Sequence, residues 1–212
     1  MFTKIACLGS LIGLITILPS IASAQVRIVY NPPPPKTEAP RKSEISATRG
    51  CDKDLIGSVT LLAPADHTGL TISARPILLY SVKKSISVPV LLTLAAIDGR
   101  EPLVERQIVA NTSGIRSFSL PPGVDLELDK EYIWTITLVC NPAQPSQDVN
   151  IQRGIRRVAV MPKLKKQLAL ANSPRDHSWI YARDSIWYDA IASASEEDLQ
   201  DLLNQIGLSV KP

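Results

Sequence analysis

Residues 131–140 read EYIWTITLVC, and this stretch decides the fold class. Tyr132, Trp134 and Cys140 fall on alternate positions and would share one face of a strand, while isoleucine, threonine and valine side chains form the other face. Because both faces are largely apolar, we expect an interior strand instead of an edge strand. The stretch therefore predicts the middle of a β-sandwich, with a cysteine at the end of its central strand.

Strand and turn signals continue on both sides of this stretch, through residues 51–162. Short apolar runs are separated by turn residues about every eight to twelve positions, without a helical period. Residues 98–99, Asp-Gly, are the strongest hairpin signal, Gly154 indicates a bulge or bend, and Tyr132 is placed to bond the incoming loop as a corner tyrosine. The region predicts an immunoglobulin-like antiparallel β-sandwich, with a closed barrel as the structural alternative.

The beginning of the chain, residues 1–24, has the pattern of an export signal. Lys4 is its one charge, an apolar run follows, and Ala22 and Ala24 form an Ala-x-Ala cleavage motif before Gln25. The apolar run is shorter than the roughly twenty residues of a membrane span. We therefore expect a signal peptide and an exported protein in the periplasm, the cell envelope or the medium, with no integral membrane segment after cleavage.

Two cysteines remain once Cys7 leaves with the signal peptide. In an oxidising compartment we expect Cys51 and Cys140 to form one disulfide, which closes a loop of roughly 90 residues. Such a bond contributes on the order of 4 kcal/mol in the chain-entropy model. The alternative is a pair of buried free thiols.

Residues 25–50 differ in composition from the sandwich region. They contain a run of prolines from Pro32 to Pro35, followed by a charged tract with few apolar residues. Such a segment buries too little apolar surface to offset the entropy of ordering it. We therefore predict a proline-rich linker that is extended near the prolines and disordered after them, with a tether or an SH3-like ligand as the functional alternative.

Residues 163–212 change from a strand-like to a helical period. A short amphipathic helix with three lysines comes first, and Ser173 and Ser195 have the sequence context of helix caps. Residues 181–191 resemble the turn between the paired helices of a tetratricopeptide (TPR) repeat. The segment therefore predicts a short TPR-like helical hairpin that packs on or beside the sandwich.

Several short motifs are distinctive in combination. They are Arg49-Gly50-Cys51, residues 61–64, 69–71 and 73–76, Tyr132-x-Trp134 with Leu138-x-Cys140, and Ile186-Trp187-Tyr188-Asp189-Ala190. Together they resemble the cyanobacterial domain of unknown function family 928, from about Arg49 to the C-terminus. The resemblance implies a secreted or envelope-associated protein with no established activity or catalytic residues, and it transfers no mechanism.

The candidate catalytic and metal-binding residues each have a simpler explanation. Residues 176–178, Asp-His-Ser, have the residue types of a hydrolase triad, but neighbours on a helix point about 100° apart and cannot form the required relay. His67 beside an aspartate fits a solvated turn, and the alternating carboxylates of residues 125–129 fit a charged outer face better than a calcium site. A net charge of +3 with two histidines favours neither nucleic acid nor a histidine-rich metal site, and no cofactor is predicted.

Two groups of side chains are candidates for partner binding. They are the arginines Arg153, Arg156 and Arg157 on the last predicted strand, and the aromatics Trp179, Tyr181, Trp187 and Tyr188 in the helical segment. The arginines would meet an anionic polysaccharide or a lipid head group, or else protect an exposed edge strand or pair with helical acids. The aromatics would stack on sugars or anchor a protein partner, or else pack in the core.

These observations favour an exported noncatalytic envelope protein that serves as an interaction or structural module for an unknown envelope protein or glycan. A polysaccharide or peptidoglycan binding module is one alternative. A hydrolase of unrecognised type is the other, and it requires the histidines or carboxylates to converge in a pocket.

Overall fold

The structure of the chain, a computed structural model, describes residues 27–34, 51 and 53–210. Within these residues eight strands precede four helices, so the protein is mainly β with helices near its C-terminus, as the sequence predicts. The strands are β1 (Val59–Leu61), β2 (Gly69–Thr71), β3 (Ile77–Val82), β4 (Val90–Ala96), β5 (Val104–Ile108), β6 (Gly114–Ser119), β7 (Glu131–Leu138) and β8 (Val149–Arg157). The helices are α1 (Pro162–Ala169), α2 (Pro174–Arg183), α3 (Trp187–Ser193) and α4 (Glu196–Gln205). The predicted signal peptide lies outside the described residues.

The strands form two sheets, a larger one in the order β2-β8-β7-β4-β5 and a smaller one in the order β1-β3-β6. Neighbouring strands are antiparallel except for β2 and β8, which run parallel. The prediction of a purely antiparallel arrangement is therefore wrong at β2. Strand β2 pairs with β8, which lies far away along the chain, so no hairpin connects the two strands and imposes an antiparallel direction.

Strand β7 occupies the centre of the larger sheet, as its two apolar faces predict, and pairs with β4 on one side and β8 on the other. Its side chains alternate, and Tyr132, Trp134, Ile136 and Leu138 are fully buried. They belong to one hydrophobic core to which both sheets, α3 and α4 contribute. The central strand therefore holds the sheets and the helices against a common interior.

Tyr132 also connects β7 to the loop that precedes it. Its hydroxyl accepts a 2.9 Å hydrogen bond from the backbone N–H of Glu127. This bond confirms the predicted corner tyrosine.

The predicted hairpin at Asp98-Gly99 is present with a different turn. Strands β4 and β5 are antiparallel, but the ladder ends at the pair Leu94 and Val104, so a longer connection joins them. Within it, the amide of Gly99 donates to the carbonyl of Ala96 at 2.9 Å. The two-residue turn predicted here is wrong, because such a turn would continue the pairing up to the residues on either side of Asp98-Gly99.

The helix starts follow the sequence signals. The hydroxyls of Ser173 and Ser195 accept hydrogen bonds from the amides of Asp176 and Asp198, which confirms both predicted caps. Between α2 and α3, Ser185 adopts a φ of 65°, in the left-handed region that favours glycine. The chain reverses there, and α2 and α3 pack as neighbouring helices.

The first described segment, residues 27–34, lies at the start of the predicted linker, beside the prolines, and packs against the fold. Ile28 and Tyr30 alternate with exposed residues and are only 1% and 7% exposed. The side-chain amide of Gln205 donates to the carbonyl of Ile28 and accepts from the amide of Tyr30, each at 2.9 Å. These two bonds attach the backbone of the segment to α4. The rest of the predicted linker, residues 35–50, lies outside the described residues.

The cysteine pair lies where the sequence predicts a disulfide. Cys51 and Cys140 are joined sulfur to sulfur, with their Cα atoms 5.3 Å apart. Cys140 follows the central strand, and its amide donates to the buried carboxylate of Asp148 at 2.9 Å. The pairing therefore ties the entrance of the strand region to the end of β7.

Candidate functional site

A series of hydrogen bonds between side chains joins the first described segment to the loop before β2. The phenol oxygen of Tyr30 lies 2.8 Å from Nε2 of His67, and Nδ1 of His67 lies 2.8 Å from a carboxylate oxygen of Asp66. The carboxylate accepts from Nδ1–H, which leaves Nε2 to accept from the phenol O–H. Burial, with Tyr188 and Asp66 nearby, raises the pKa of the Tyr30 phenol, so the phenol stays a hydrogen-bond donor. Both nitrogens of His67 are therefore occupied, and its role is to hold Tyr30.

Trp187 and Tyr188, two of the four candidate aromatics, lie in the core. The indole N–H of Trp187 donates to the carbonyl of Leu62 at 3.0 Å, and the ring of Tyr30 packs edge-on at 4.8 Å. The Tyr188 hydroxyl donates to the carbonyl of Gly154 at 3.0 Å. A partner cannot reach these two side chains, so the core-packing alternative describes them and partner binding does not.

Tyr188 explains the glycine at position 69, which the sequence left without a role. A Cβ on Gly69 would lie 2.7 Å from Cε2 of the Tyr188 ring, closer than carbon atoms approach each other. Gly154 has a similar reason, since its Cβ would lie 3.0 Å from the hydroxyl oxygen of Thr68. Of the bulge or bend predicted at Gly154, the bulge is wrong, because the pairing of β7 with β8 continues through this residue without a break.

Trp179 and Tyr181, the other two aromatics, are half-buried. They pack against a second, smaller cluster formed by Leu70, Leu164, Ile180 and Ile186. The guanidinium carbon of Arg183 lies 4.4 Å from the centre of the Trp179 ring and covers that face. The four aromatics therefore do not form a contiguous exposed patch, and Trp179 has one face already occupied.

The three candidate arginines do not form one exposed patch either. Arg153 donates from Nε to the carbonyl of Ala63 at 2.9 Å, and Arg157 donates from Nη1 to the carbonyl of Leu126 at 2.8 Å. Burial lowers the pKa of the Arg153 guanidinium, and the neighbouring Tyr188 opposes this effect. Arg156 points to the opposite face of the strand from the other two. Strand β8 lies between β2 and β7, so the predicted exposed edge strand is wrong.

The Asp-His-Ser sequence in α2 has three separate structural roles. Hydrogen bonds hold the pKa of the Asp176 carboxyl below its usual range. The bond from the amide of Asn172 has the largest effect, and the bonds with Ser173 follow. Nδ1 of His177 lies 2.9 Å from the carbonyl of Ser173. The buried hydroxyl of Ser178 donates to the carbonyl of Ala190 at 2.8 Å and links α2 to α3. The three side chains therefore do not form a relay.

Two of the three alternating carboxylates before β7 form ion pairs with cations of the protein. Asp125 pairs with Nε of Arg75 at 3.2 Å, and Glu127 pairs with Nζ of Lys130 at 3.2 Å. Across residues 27–34, 51 and 53–210, no group of three or more histidine, cysteine, aspartate or glutamate side chains is arranged to hold a metal ion. The carboxylates form a charged outer face of the loop.

A group of exposed lysines on α1 is the remaining candidate, and its sequence had indicated only an amphipathic helix. Seven cations and no carboxylates occur between Asp148 and Asp176. They are Arg153, Arg156, Arg157, Lys163, Lys165, Lys166 and Arg175. The three lysines are exposed on α1, whose Leu164 is buried in the smaller cluster. The absence of acids over this length was the available signal.

We name Lys163, Lys165 and Lys166, with the exposed Met161 and Leu170 that flank them, the α1 surface. Met161 is 65% exposed and Leu170 is 77% exposed. The α1 surface can therefore offer positive charge and apolar side chains to a partner from outside the fold.

Among the described residues, no helix combines the length and apolar character required to cross a membrane.

Comparisons with known proteins bear on the whole fold. Neither the curated proteins nor the solved structures contain a match to this chain. One family model matches residues 44–209, which is most of the chain, and its description is Domain of Unknown Function (DUF928). The motifs around the two cysteines, the central strand and helix α3 all lie inside that match. The chain therefore belongs to the DUF928 family.

Proposed function

We propose that this protein is an exported, noncatalytic module of the cell envelope, in which a disulfide-tied sandwich carries a helical cap that meets a partner. The observation that carries the proposal is the use of the reactive side chains as structural links. His67 holds Tyr30, His177 bonds Ser173, and the Ser178 hydroxyl bonds Ala190. Hydrogen bonds of this kind connect separate elements of the fold, which supports a structural role for these side chains.

Export is supported by the first residues and by the cysteines. The apolar run and Ala-x-Ala motif of residues 1–24 fit a cleaved signal. A disulfide between Cys51 and Cys140 persists in an oxidising compartment and would be reduced in a cytosol. The family resemblance, which implies a cyanobacterial envelope protein, is in line with this compartment.

An immunoglobulin-like type is our proposal for the sandwich. The order β8-β7-β4 within the larger sheet, the separate β1-β3-β6 sheet and the corner tyrosine at Tyr132 all support it. The disulfide differs from that of antibody domains, because it joins Cys51 before β1 to the end of β7. For α2 and α3 we propose a single TPR-like hairpin, supported by the left-handed Ser185 at the turn.

The α1 surface is the part of this module that we propose to contact the partner. A platform of aromatic residues for a polysaccharide has weaker support, because Trp187 and Tyr188 are buried and Arg183 covers the ring of Trp179. The exposed lysines instead favour a partner that carries negative charge.

Fractionation of cells tests this proposal. The full-length chain is expressed and its envelope fraction compared with that of the variant Lys163→Gln/Lys165→Gln/Lys166→Gln. We expect the native protein to sediment with the envelope and the variant to be released into the soluble fraction. Recovery of the native protein in the soluble cytosolic fraction, or equal retention of both proteins, would contradict the proposal.

A further inference from the structure

We propose that the α1 surface binds the head groups of an anionic lipid leaflet. This inference rests on the proposed function and specifies the partner of the same surface. The protein would lie on the leaflet through α1, with the sandwich facing away from it.

The α1 surface carries a local excess of positive charge. Lys163, Lys165 and Lys166 are exposed, and none of the described carboxylates forms an ion pair with them. The nearest acids along the chain are Asp148 and Asp176. A leaflet with anionic head groups attracts each such lysine, and these contributions add when several lysines approach the leaflet together.

Apolar side chains are also exposed at and beside the α1 surface, and this exposure favours a lipid leaflet over a polysaccharide as the partner. Ten large apolar side chains are exposed within the described residues, and Val160, Met161 and Leu170 are three of them. Leu170 is the most exposed of the ten. A lipid surface buries such side chains at the boundary between head groups and acyl chains, whereas a charged polysaccharide offers them no apolar environment. The combination of lysines with exposed apolar side chains therefore fits a leaflet better.

The packing of α1 makes the surface available without unfolding. Leu164 is buried against the smaller cluster, and Leu168 packs against the same cluster. The helix keeps these contacts while its lysines face outward, so binding requires no detachment of α1 from the fold. A preformed surface of this kind loses little conformational entropy on binding.

Vesicle sedimentation tests the inference with the protein purified after expression of the full-length chain. One set of vesicles is an equimolar mixture of phosphatidylglycerol and phosphatidylcholine, and the other is phosphatidylcholine alone. The native protein should bind the first set and not the second. Each lysine removed should weaken binding roughly five-fold, so Lys163→Gln/Lys165→Gln/Lys166→Gln should lose on the order of a hundred-fold.

A matched variant controls for net charge. Lys83→Gln/Arg100→Gln/Arg106→Gln also removes three exposed cations, all outside the region between Asp148 and Asp176. It should keep vesicle binding within about three-fold of the native protein. Equal losses for the two triple variants would overturn the inference, because binding would then follow total charge and not the α1 surface. Thermal unfolding midpoints of both variants confirm that they remain folded.

A variant that lacks the exposed apolar side chains distinguishes a lipid partner from a glycan partner. Met161→Ser/Leu170→Ser should weaken binding to the anionic vesicles at least ten-fold and leave the lysines intact. Binding of the native protein to polygalacturonate but not to the anionic vesicles would overturn the inference in favour of an acidic polysaccharide. If the native protein sediments with the envelope but fails to bind the vesicles, the lipid inference is wrong and the proposed function stands.

Discussion

The indole Nε1 of Trp134 donates a 2.8 Å hydrogen bond to the hydroxyl of Tyr188. Trp134 lies in the central strand and Tyr188 in α3, and both side chains are fully enclosed. The same hydroxyl donates to the carbonyl of Gly154 in the neighbouring strand. One phenol therefore fastens the helical part to the middle of the larger sheet.

Removal of this hydroxyl is the first test. Tyr188→Phe leaves the buried indole N–H of Trp134 without its partner, so we expect a loss of about 2 kcal/mol in the free energy of unfolding. Urea denaturation measures this loss. Tyr181→Phe, at a half-buried tyrosine of α2, is the control and should cost less than about 1 kcal/mol. Equal effects of the two changes would show that the Tyr188 hydroxyl has no special role.

The contact between Gly69 and the Tyr188 ring gives a second prediction. Gly69→Ala should destabilise the protein by about 2 kcal/mol, because the new Cβ must displace the ring. In a Tyr188→Leu background the same change should cost much less, since the ring is gone. A double-mutant cycle measures the difference, and additive costs would contradict a direct clash.

Much of this architecture could be predicted from local sequence patterns. The alternation in β7 predicted a buried central strand, and Ser173 and Ser195 predicted two helix starts, because each signal acts within a few residues. The partners of Arg153 and Arg157 could not be predicted in this way. Their guanidinium groups bond carbonyls far away in sequence, and alternation along β8 does not show what lies opposite.

The packing of the first described segment could not be predicted for a different reason. Composition over residues 25–50 is dominated by prolines and charges, which conceals the short alternation of Ile28 and Tyr30. These two side chains become buried only because His67, Trp187 and α4 provide a surface for them. No window confined to the segment contains that information.

The amide of Gln205 provides a third prediction about this segment. Gln205→Ala removes the bonds to the backbone of Ile28 and Tyr30, which we expect to weaken local protection by about 2 kcal/mol, or roughly thirty-fold in exchange rate. Hydrogen exchange at the amide of Tyr30 measures it. Asn204→Ala, at the exposed neighbouring position of α4, should leave that exchange rate unchanged.

Asp189 predicts a specific dependence of stability on pH. Burial raises the pKa of its carboxyl, although bonds from Thr71 and the amide of Ile72 oppose the shift. A raised folded pKa means that the native state keeps a proton that the unfolded state loses from about pH 4 upward. The contribution of Asp189 to stability is therefore present at low pH and declines as the pH rises through its folded pKa.

Asp189→Asn removes this titration and keeps a similar shape. We expect the stability of the variant relative to the native protein to increase with pH above about pH 4, as measured by urea denaturation across the acidic range. Asp98→Asn, at an exposed loop position, should show no such trend. A pH-independent difference for Asp189→Asn would mean that burial does not shift the carboxyl.

Export and the closed disulfide are tested together, and most directly, by the intact mass of the protein isolated from cells that express the full-length chain. We expect a chain that begins at Gln25 and gains the mass of two hydrogens on reduction, as Cys51 and Cys140 separate. A chain that retains residues 1–24 and whose mass does not change on reduction would contradict it.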